Sequence, residues 1–311
     1  FLSIASATSL ADNYPSKPIK AIVPFAAGSA TDQIGRAFAQ KMADVLGQPI
    51  VVENKAGVNG MLGADAVAKA APDGYTILIG TNSTNAALKS LMKKLPYDQD
   101  TAFAPISLFA ELPFVLAVTT SLDVNNVKDL VAMAKASPDK LTYASSGNGG
   151  SPHLSAETFK IATGTKILHI PYKGGGAAMT DLISGNVHML FASVLETSAY
   201  IKAGKLKALA ITSRQRVSAL PDVPTLHEAG VVGAESGSWL GMLAPAGTPQ
   251  PIVEKISQSL QQVIAMSDVQ TQLINQGAVA KGGGAAEFSQ LIATDRKKYA
   301  RIIVENNLSA E

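Results

Sequence analysis

The chain repeats one pattern of apolar and polar positions. A short β-branched apolar run is followed by a loop of small or polar residues and then by apolar residues every three or four positions. This pattern predicts a strand followed by a helix. In the first third of the chain it begins at IKAIVPF, PIVVENK and YTILIG. It returns at KLTYASS, TKILHIPY and VHMLFAS, and the run LKALAITS ends the second series. Alternating strands and helices predict an α/β fold with mostly parallel sheets covered by helices.

Two apolar stretches without helical periodicity, residues 103–122 and 236–249, flank the second series. They predict extended chain that passes between two lobes. The first lobe would be discontinuous, with residues 12–115 and 240–311, and residues 116–239 would form the inserted second lobe. Two lobes joined by two crossing strands predict a hinged clamp with the ligand site in its cleft.

Composition narrows the possible partners. Of the 311 residues, 47% are hydrophobic and 16% are charged, and Lys plus Arg exceed Asp plus Glu by only two (26 against 24). Because no basic run occurs, a nucleic-acid partner is not expected. The absence of cysteine excludes disulfides, thiolate zinc sites and a cysteine nucleophile. No apolar run reaches the length of about 18 residues expected of a membrane-spanning helix.

The first eleven residues, FLSIASATSLA, are apolar and small. They have the character of the end of a secretory signal peptide, with cleavage just before Asp12. We therefore expect an exported protein, with a disordered leader as the alternative interpretation of this segment.

Ligands of an open α/β sheet bind beyond the carboxyl ends of the strands, where loops meet helix N-termini. The predicted loops at these places are residues 26–31, 81–85, 145–151, 173–176 and 192–193. They contain no Arg, Asp or Glu, and their one Lys is Lys173. What they offer is backbone N–H groups, hydroxyls and amides next to helix dipoles, which suit a small carboxylate.

Several residues near these loops have two interpretations. Ser29 and Asp32 have the spacing of a capping box, so Asp32 either stabilises its helix start or contacts the ligand. Ser151 before Pro152 is typical of an N-cap, and His153 in the first turn is either a ligand contact or a structural imidazole. Phe25 packs on the ligand or in the core. Trp239, in the second crossing, packs at the hinge or lines the cleft.

Catalysis has little support in the sequence. The nucleophile pattern G-x-S-x-G does not occur. The four histidines, at positions 153, 169, 188 and 227, lack the spacing of a metal site. An enzyme of the same scaffold would be a hydrolase or transferase that uses Ser146 or Ser151 with His153. The sensor half of a transcription regulator would need a helix-turn-helix module, and none is visible.

Seven stretches, taken in order, resemble the periplasmic solute receptors of tripartite tricarboxylate transporters, the Bug (Bordetella uptake gene) type. They are YPSKPIKAIVPFAAGSATD, GYTILIGTNST, LPYDQDTAFAPISL, YASSGNGGSPHLSAETF, HIPYKGGGAAMTDLISG, LPDVPTLHEAG and WLGMLAPAGTP. The resemblance implies a Venus-flytrap periplasmic-binding-protein fold, a periplasmic location and delivery of a captured solute to the membrane components of the transporter. We expect a monomer without catalysis, cofactor, metal or nucleic-acid partner. The expected ligand is a dicarboxylate or an aromatic carboxylate such as terephthalate.

The resemblance also implies where the ligand lies. One carboxylate would sit deep in the cleft between the glycine-rich loops of the two lobes. The expected ligand-binding residues are Phe25, Ala27, Gly28, Ser29, Thr31, Asp32, Thr81, Asn82, Ser83, Thr84, Ser145, Ser146, Gly147, Ser151, His153, Lys173, Gly174, Gly175 and Ser193. Asp181 matches a family position, and we expect it to be a structural hydrogen-bonding residue. Ser29 departs from the family, many of whose members have glycine there, so the ligand is expected to differ from the commoner ones.

Overall fold

The computed structural model describes residues 13–309, and the leader predicted for residues 1–11 lies outside this range. Packing divides the described chain into two units, each discontinuous in sequence. The first contains the described residues up to Ala110, with Trp239–Gln270 and Ala280–Lys297. The second contains Glu111–Ser238, Thr271–Val279 and the residues from Lys298 onward.

Both units have the predicted α/β composition. The strands are β1 (Ile19–Val23), β2 (Ile50–Asn54), β3 (Thr76–Thr81), β4 (Phe103–Leu112), β5 (Phe114–Thr119), β6 (Thr142–Ser145), β7 (Leu168–Pro171), β8 (Met189–Ser193), β9 (Leu206–Ile211), β10 (Ser238–Pro245) and β11 (Val279–Ala280). The helices are α1 (Ala30–Leu46), α2 (Met61–Ala68), α3 (Leu88–Leu91), α4 (Val127–Ala136), α5 (Ser151–Thr163), α6 (Gly175–Ser184), α7 (Val194–Lys202), α8 (Gln250–Ala265), α9 (Ser267–Asn275) and α10 (Ala285–Glu305).

The strand order brings the predicted loops to one edge within each unit. The first sheet has the order β11-β4-β10-β3-β1-β2, and the second has the order β7-β6-β8-β5-β9. β1 runs parallel to β2 and β3, and β6 runs parallel to β7 and β8. The carboxyl ends of each parallel trio therefore lie at the same edge of its sheet. Both sheets are mixed, because β10 is antiparallel to β3, and β5 is antiparallel to β8 and β9.

The apolar faces of the strands supply the two cores. β3 is buried from Ile77 to its end, as expected for a strand covered on both faces. In the first unit, Trp239 packs edge-on against Phe288, with ring centres 5.1 Å apart, and its Nε1 donates to Asp295 at 2.7 Å. Trp239, which lies in the second predicted crossing, therefore packs in the core of the first unit. In the second unit, Phe159 of α5 packs against Phe191 of β8.

The C-terminal part of the chain differs from the predicted lobe boundaries. The prediction placed all of residues 240–311 in the first lobe, whereas residues 271–279 and those from Lys298 onward pack with the second unit. Gly277 explains part of the difference, because a β-carbon there would lie 2.2 Å from Val194 Cγ1 at the start of α7. Lys298 Nζ also donates to the Glu235 carbonyl at 3.0 Å. Such contacts join residues far apart in sequence, so local patterns do not predict them.

Helix ends agree with the sequence in some places and not in others. Ser29 is the N-cap of α1, as the spacing of Ser29 and Asp32 predicted, and Gly47 ends that helix with a φ of 69°. The predicted N-cap at Ser151 is wrong by one residue: Gly150 is the N-cap, and Ser151 begins α5. The helix predicted after β3 is a π-helical segment, Ser83–Ala87, followed by the single turn α3.

Candidate functional site

The loop between β1 and α1, residues 24–29 (the β1 loop), ends in a capped helix start. Phe25 is partly buried, and Ala26, Ala27 and Gly28 are exposed. The Ser29 side chain accepts a hydrogen bond from the Asp32 N–H at 3.3 Å. Within residues 13–309, the N–H groups of Ala26 and Ala27 have no hydrogen-bond partner. These two N–H groups lie in the exposed part of the loop, just before the start of α1.

The buried side chain of Asp32 binds the β1 loop through hydrogen bonds. It is only 3% exposed, and its Oδ2 accepts from the Gly28 N–H at 2.9 Å. Its Oδ1 accepts from Arg36 Nε at 2.9 Å and from Asn54 Nδ2 at 2.8 Å. Asn54 Nδ2 also lies 3.0 Å from the Phe25 carbonyl oxygen. Both carboxylate oxygens thus have partners, as expected of a residue that fixes the loop's shape.

The charge of Asp32 is stabilised by the same contacts. Burial by itself would raise the pKa of Asp32, but hydrogen bonds from Arg36, Gly28 and Asn54 outweigh it and lower the pKa below the ordinary value of 3.8. Asp32 is therefore ionised at neutral pH, and its charge is balanced by Arg36. Thr31, the residue before it, is buried in the same first helical turn.

The loop after β3, residues 81–87 (the β3 loop), is buried, and its polar side chains form hydrogen bonds within the loop. Thr81, Asn82, Ser83 and Thr84 are each at most 2% exposed. The Thr84 hydroxyl accepts from the Thr81 N–H at 2.8 Å, and the Thr81 and Ser83 hydroxyls lie 3.1 Å apart. Thr81, Ser83 and Thr84, which were predicted to contact the ligand, thus stabilise the turn to which they belong.

Two side chains from outside the β3 loop bind its carbonyl oxygens. Gln99 Nε2 donates to the Thr84 carbonyl at 2.7 Å, and Arg296 Nε donates to the Asn85 carbonyl at 3.1 Å. Arg296 also pairs with Asp100 at 2.8 Å. A π-helical segment leaves carbonyl groups outside the usual helical ladder, and these donors satisfy two of them.

The prediction missed a third loop at the same sheet edge, between β2 and α2. A β-carbon on Gly60 would lie 2.3 Å from Thr84 Cγ2 and 3.1 Å from Pro24 Cβ, so Gly60 fits between the other two loops. Val58 and Asn59 both have positive φ angles, 46° and 52°. The sequence signal was the segment KAGVNG after the second predicted strand, which follows the same strand-to-helix pattern as the other loops.

In the second unit, residues 146–150 after β6 form the glycine-rich β6 loop. Ser146 is exposed, and Ser145, just before the loop, is buried. The Ser145 hydroxyl lies 2.6 Å from His169 Nε2 and accepts from the Gly147 N–H at 3.2 Å. His153 Nδ1 accepts from the Gly149 N–H at 2.7 Å. The prediction did not include His169 among the site residues.

Three nearly parallel rings, Tyr143, His153 and His169, form a ring cluster beneath the β6 loop. The His153 and His169 centroids are 4.0 Å apart, and those of His169 and Tyr143 are 4.7 Å apart. Glu157 accepts from the Tyr143 hydroxyl and from Lys160 Nζ, and its Oε1 lies 3.9 Å from His153 Nε2.

Both histidines of the ring cluster are neutral at pH 7. Burial, with a contribution from the Lys160 charge, lowers the pKa of His153 to about 4. Burial and the neighbouring His153 lower the pKa of His169 to about 3. A histidine with so low a pKa is a poor general base. In addition, His153 Nδ1 is occupied by a backbone N–H, so it does not serve the predicted pairing with Ser146 or Ser151.

The remaining predicted residues lie at the starts of α6 and α7. Lys173 and Gly174 precede α6, and Gly174 has a φ of 121°. A β-carbon on Gly175 would lie 3.6 Å from Glu196 Oε1. Ser193 and Glu196 form a capping box, in which the Ser193 hydroxyl donates to Glu196 at 2.6 Å. The start of α6 therefore lies close to the first turn of α7.

Asp181 has the structural role that was expected. Its Oδ2 accepts from the Tyr172 hydroxyl at 2.6 Å, and its Oδ1 accepts from Asn186 at 3.1 Å. These hydrogen bonds lower the pKa of Asp181. Tyr172 lies just before Lys173, so its hydrogen bond to Asp181 fixes the chain that leads to Lys173 and Gly174.

Residues 13–309 contain no group of three or more side chains arranged to hold a metal ion. In the same range, no helix combines the length and the apolar character that a membrane crossing requires.

Comparison with known proteins identifies the family. The model of the tripartite tricarboxylate transporter family receptor matches residues 34–308. The chain belongs to this family. Protein BugT of Bordetella pertussis is 35% identical over 296 residues, which cover 95% of this chain and 91% of BugT.

Solved structures agree with this assignment. Rpa4515 of R. palustris, solved with adipate, has a TM-score of 0.89 and 33% identity, over 95% of this chain and 99% of that protein. MatC from Rhodopseudomonas palustris, solved with bound malate, has a TM-score of 0.85 and 32% identity, over 93% of this chain and all of MatC. The predicted family and the periplasmic-binding-protein fold are therefore confirmed. Members of the receptor family bind solutes.

We predict that Asp32→Asn destabilises the receptor by about 1–3 kcal/mol at pH 7, because the buried hydrogen bonds to a charged acceptor are weakened. The folded-state pKa of Asp32 is lowered, so its contribution is present above the ordinary pKa of 3.8 and is lost as the pH falls through the folded value. Urea unfolding at pH 7 and pH 3 would therefore show a difference between wild type and variant that shrinks at pH 3.

Asp129→Asn is the matched control. Asp129 occupies the same position in α4, and its Oδ2 accepts from the Asn125 N–H, but the pair is exposed. We expect this variant to lose at most about 1 kcal/mol. Equal losses in the two variants would contradict the role given to the buried network of Asp32.

We also predict a pH-dependent stability from the ring cluster. In the unfolded chain His153 titrates near 6.5, but its folded pKa is about 4. Between these values the unfolded state binds more protons, so stability falls as the pH is lowered from 6.5 towards 4. The stability difference between pH 7 and pH 5, measured by urea unfolding, should be about 1–2 kcal/mol smaller in His153→Asn than in wild type. An unchanged difference would contradict the low pKa.

Proposed function

We propose that this receptor captures a small carboxylate in the periplasm and delivers it to the membrane components of a tripartite tricarboxylate transporter. The ligand would be a dicarboxylate or an aromatic carboxylate such as terephthalate, and the receptor would catalyse no reaction. The observation that carries the proposal is the uncharged character of the β1 and β6 loops, both at the carboxyl ends of parallel strands.

The chemistry of these loops supports a carboxylate. The β1 loop offers the N–H groups of Ala26 and Ala27 just before the start of α1, where the helix dipole favours negative charge. The β6 loop offers the exposed Ser146 at the corresponding place before α5. Lys173 is the only charged residue in the predicted loops. The adipate and malate found with two similar proteins are both dicarboxylates, which supports this ligand class.

The contacts of the histidines count against the catalytic alternative. The Ser145 hydroxyl lies 2.6 Å from His169 Nε2, but the pKa of His169, about 3, makes it a poor base. In the catalytic alternative, Ser146 or Ser151 would pair with His153. However, His153 Nδ1 accepts a hydrogen bond from the Gly149 backbone N–H instead.

Differential scanning fluorimetry with citrate, adipate, malate, protocatechuate and terephthalate tests the proposal. At 100 times its Kd, a ligand adds about 2.7 kcal/mol of apparent stability, so at least one acid should raise the unfolding temperature by several degrees. Ala27→Asp should abolish this rise, because a negative charge in the exposed β1 loop repels the carboxylate.

Ala286→Asp is the matched control for the added charge. Ala286 is exposed in the first turn of α10, outside the predicted loops, and a carboxylate there is favourable to the helix dipole. This variant should keep the full ligand response. The proposal is wrong if no acid raises the unfolding temperature of the wild-type receptor.

Ser29 provides a test of ligand selection. Replacing an N-cap serine by glycine costs only a few tenths of a kcal/mol, so Ser29→Gly should fold normally. If the Ser29 side chain selects among acids, isothermal titration should show a changed order of affinities in this variant. Asn126→Gly, which alters the N-cap of α4, is the control and should leave the order unchanged. The same order in Ser29→Gly and wild type would contradict a selective role.

A further inference from the structure

Two hydrogen bonds fasten the β6 loop to the ring cluster, one next to each end of the loop. The Ser145 hydroxyl, directly before the first residue of the loop, lies 2.6 Å from His169 Nε2. The Gly149 N–H, near the other end, donates to His153 Nδ1 at 2.7 Å. The two rings come from different elements, because His169 lies on β7 and His153 lies in the first turn of α5. The loop between the two fastenings has no charged residue.

The rings themselves are held in a fixed orientation. His153 is 4% exposed and Tyr143 is fully buried. The planes of His153 and His169 differ by 9°, and those of His169 and Tyr143 differ by 16°. Tyr143 faces His169 directly across the parallel strand pair, and its hydroxyl donates to the buried Glu157. A rotation of either imidazole would therefore disturb the packing of the cluster.

The hydrogen bonds also fix the protonation of His153. Nδ1 accepts from a backbone N–H, so it carries a lone pair, and the ring proton must be on Nε2. Nε2 faces Glu157, whose Oε1 is 3.9 Å away. The acceptor at Nδ1 draws the Gly149 N–H inward, and Gly147 and Gly149 have φ angles of 134° and 76° that favour glycine. Ser146 lies between the two fastened points and is exposed.

We propose that His153 and His169 are positioning residues for carboxylate binding: they bind the two ends of the β6 loop and thereby orient the exposed Ser146 segment towards the ligand. This inference rests on the proposed function. It adds that the affinity depends on two imidazoles that hydrogen-bond to Gly149 and to Ser145 and do not touch the ligand. His153 was expected to be a ligand contact or a structural residue, and its Nδ1 contact supports the second interpretation.

The test compares variants that keep or remove the hydrogen-bonding group at each histidine position. His153→Asn keeps an acceptor near the position of Nδ1, and His153→Leu removes it. His169→Gln keeps a polar group near the position of Nε2, and His169→Phe keeps the aromatic ring without the nitrogen. The measurements are hydrogen exchange of the Gly149 amide in the ligand-free receptor and the affinity for the acid that gives the largest stabilisation of wild type.

We expect His153→Leu to speed the exchange of the Gly149 amide and to weaken the affinity, each by about tenfold, the effect of losing one hydrogen bond. His153→Asn should restore both values to within about threefold of wild type. His169→Phe should weaken the affinity while His169→Gln preserves it. Rescue by His153→Asn and His169→Gln separates positioning from a general loss of stability.

His188 is the matched control. Its Nδ1 accepts from the Thr142 N–H at 3.0 Å, at the amino end of β6 and so at the opposite end of the same strand. His188→Leu loses the same kind of hydrogen bond and should change neither the Gly149 exchange nor the affinity.

The outcomes separate this inference from the proposed function. Unchanged exchange of the Gly149 amide in His153→Leu overturns the positioning role, whatever the ligand does. Faster exchange with unchanged affinity overturns it too, because the loop would then not contribute to binding. If wild type binds none of the acids, the proposed function fails, and the inference built on it fails with it.

Discussion

Backbone N–H groups can hold an anion only when other parts of the protein fix the loop that carries them. A flexible loop would lose conformational entropy on binding, on the order of 1–2 kcal/mol for each residue ordered. The loops of this receptor are short of charge and rich in glycine and alanine, so their own side chains do not supply that order. Buried polar side chains outside the loops supply it instead.

The side chains that hold the loops, here called anchors, are of two kinds: acceptors that bind backbone N–H groups and donors that bind backbone carbonyl groups. In the β1 and β6 loops the anchors are acceptors, the Asp32 carboxylate and the His153 imidazole, and each binds a glycine N–H. In the β3 loop the anchors are donors, Gln99 and Arg296, and they bind carbonyl oxygens. Each N–H drawn inward is removed from the set that faces solvent, so the anchors also decide which donors remain.

Most of the fold could be predicted from local patterns. The alternation of apolar runs and helical periodicity located the strands, and most of residues 103–122 and 236–249, predicted as extended, lie in β4, β5 and β10. Ser29 was identified as a cap because capping depends on a few neighbouring residues. The N-cap of α5 was placed one residue late, because Gly150, which has no side-chain acceptor, takes that position.

The site was less predictable, because its anchors come from distant parts of the chain. Asn54 is 29 residues from Phe25, and Arg296 is 211 residues from Asn85. His169 belongs to the ring cluster because β7 pairs with β6 in parallel, and the register that sets it opposite Tyr143 is a property of the sheet. The loop at Gly60 was missed although its sequence pattern was visible. The predicted ligand contacts themselves remain predictions.

The electrostatic balance of the anchors explains why loop shape matters so much here. Asp32 is paired with Arg36, Arg296 is paired with Asp100, and the two histidines are neutral. Little net charge therefore reaches the loops from these groups, and the attraction for an anion comes from oriented N–H dipoles and helix starts. Dipolar attraction depends on orientation as well as distance, whereas a mobile arginine could follow its ligand. A site of this kind gains affinity from geometry, so the residues that fix the geometry affect binding without touching the ligand.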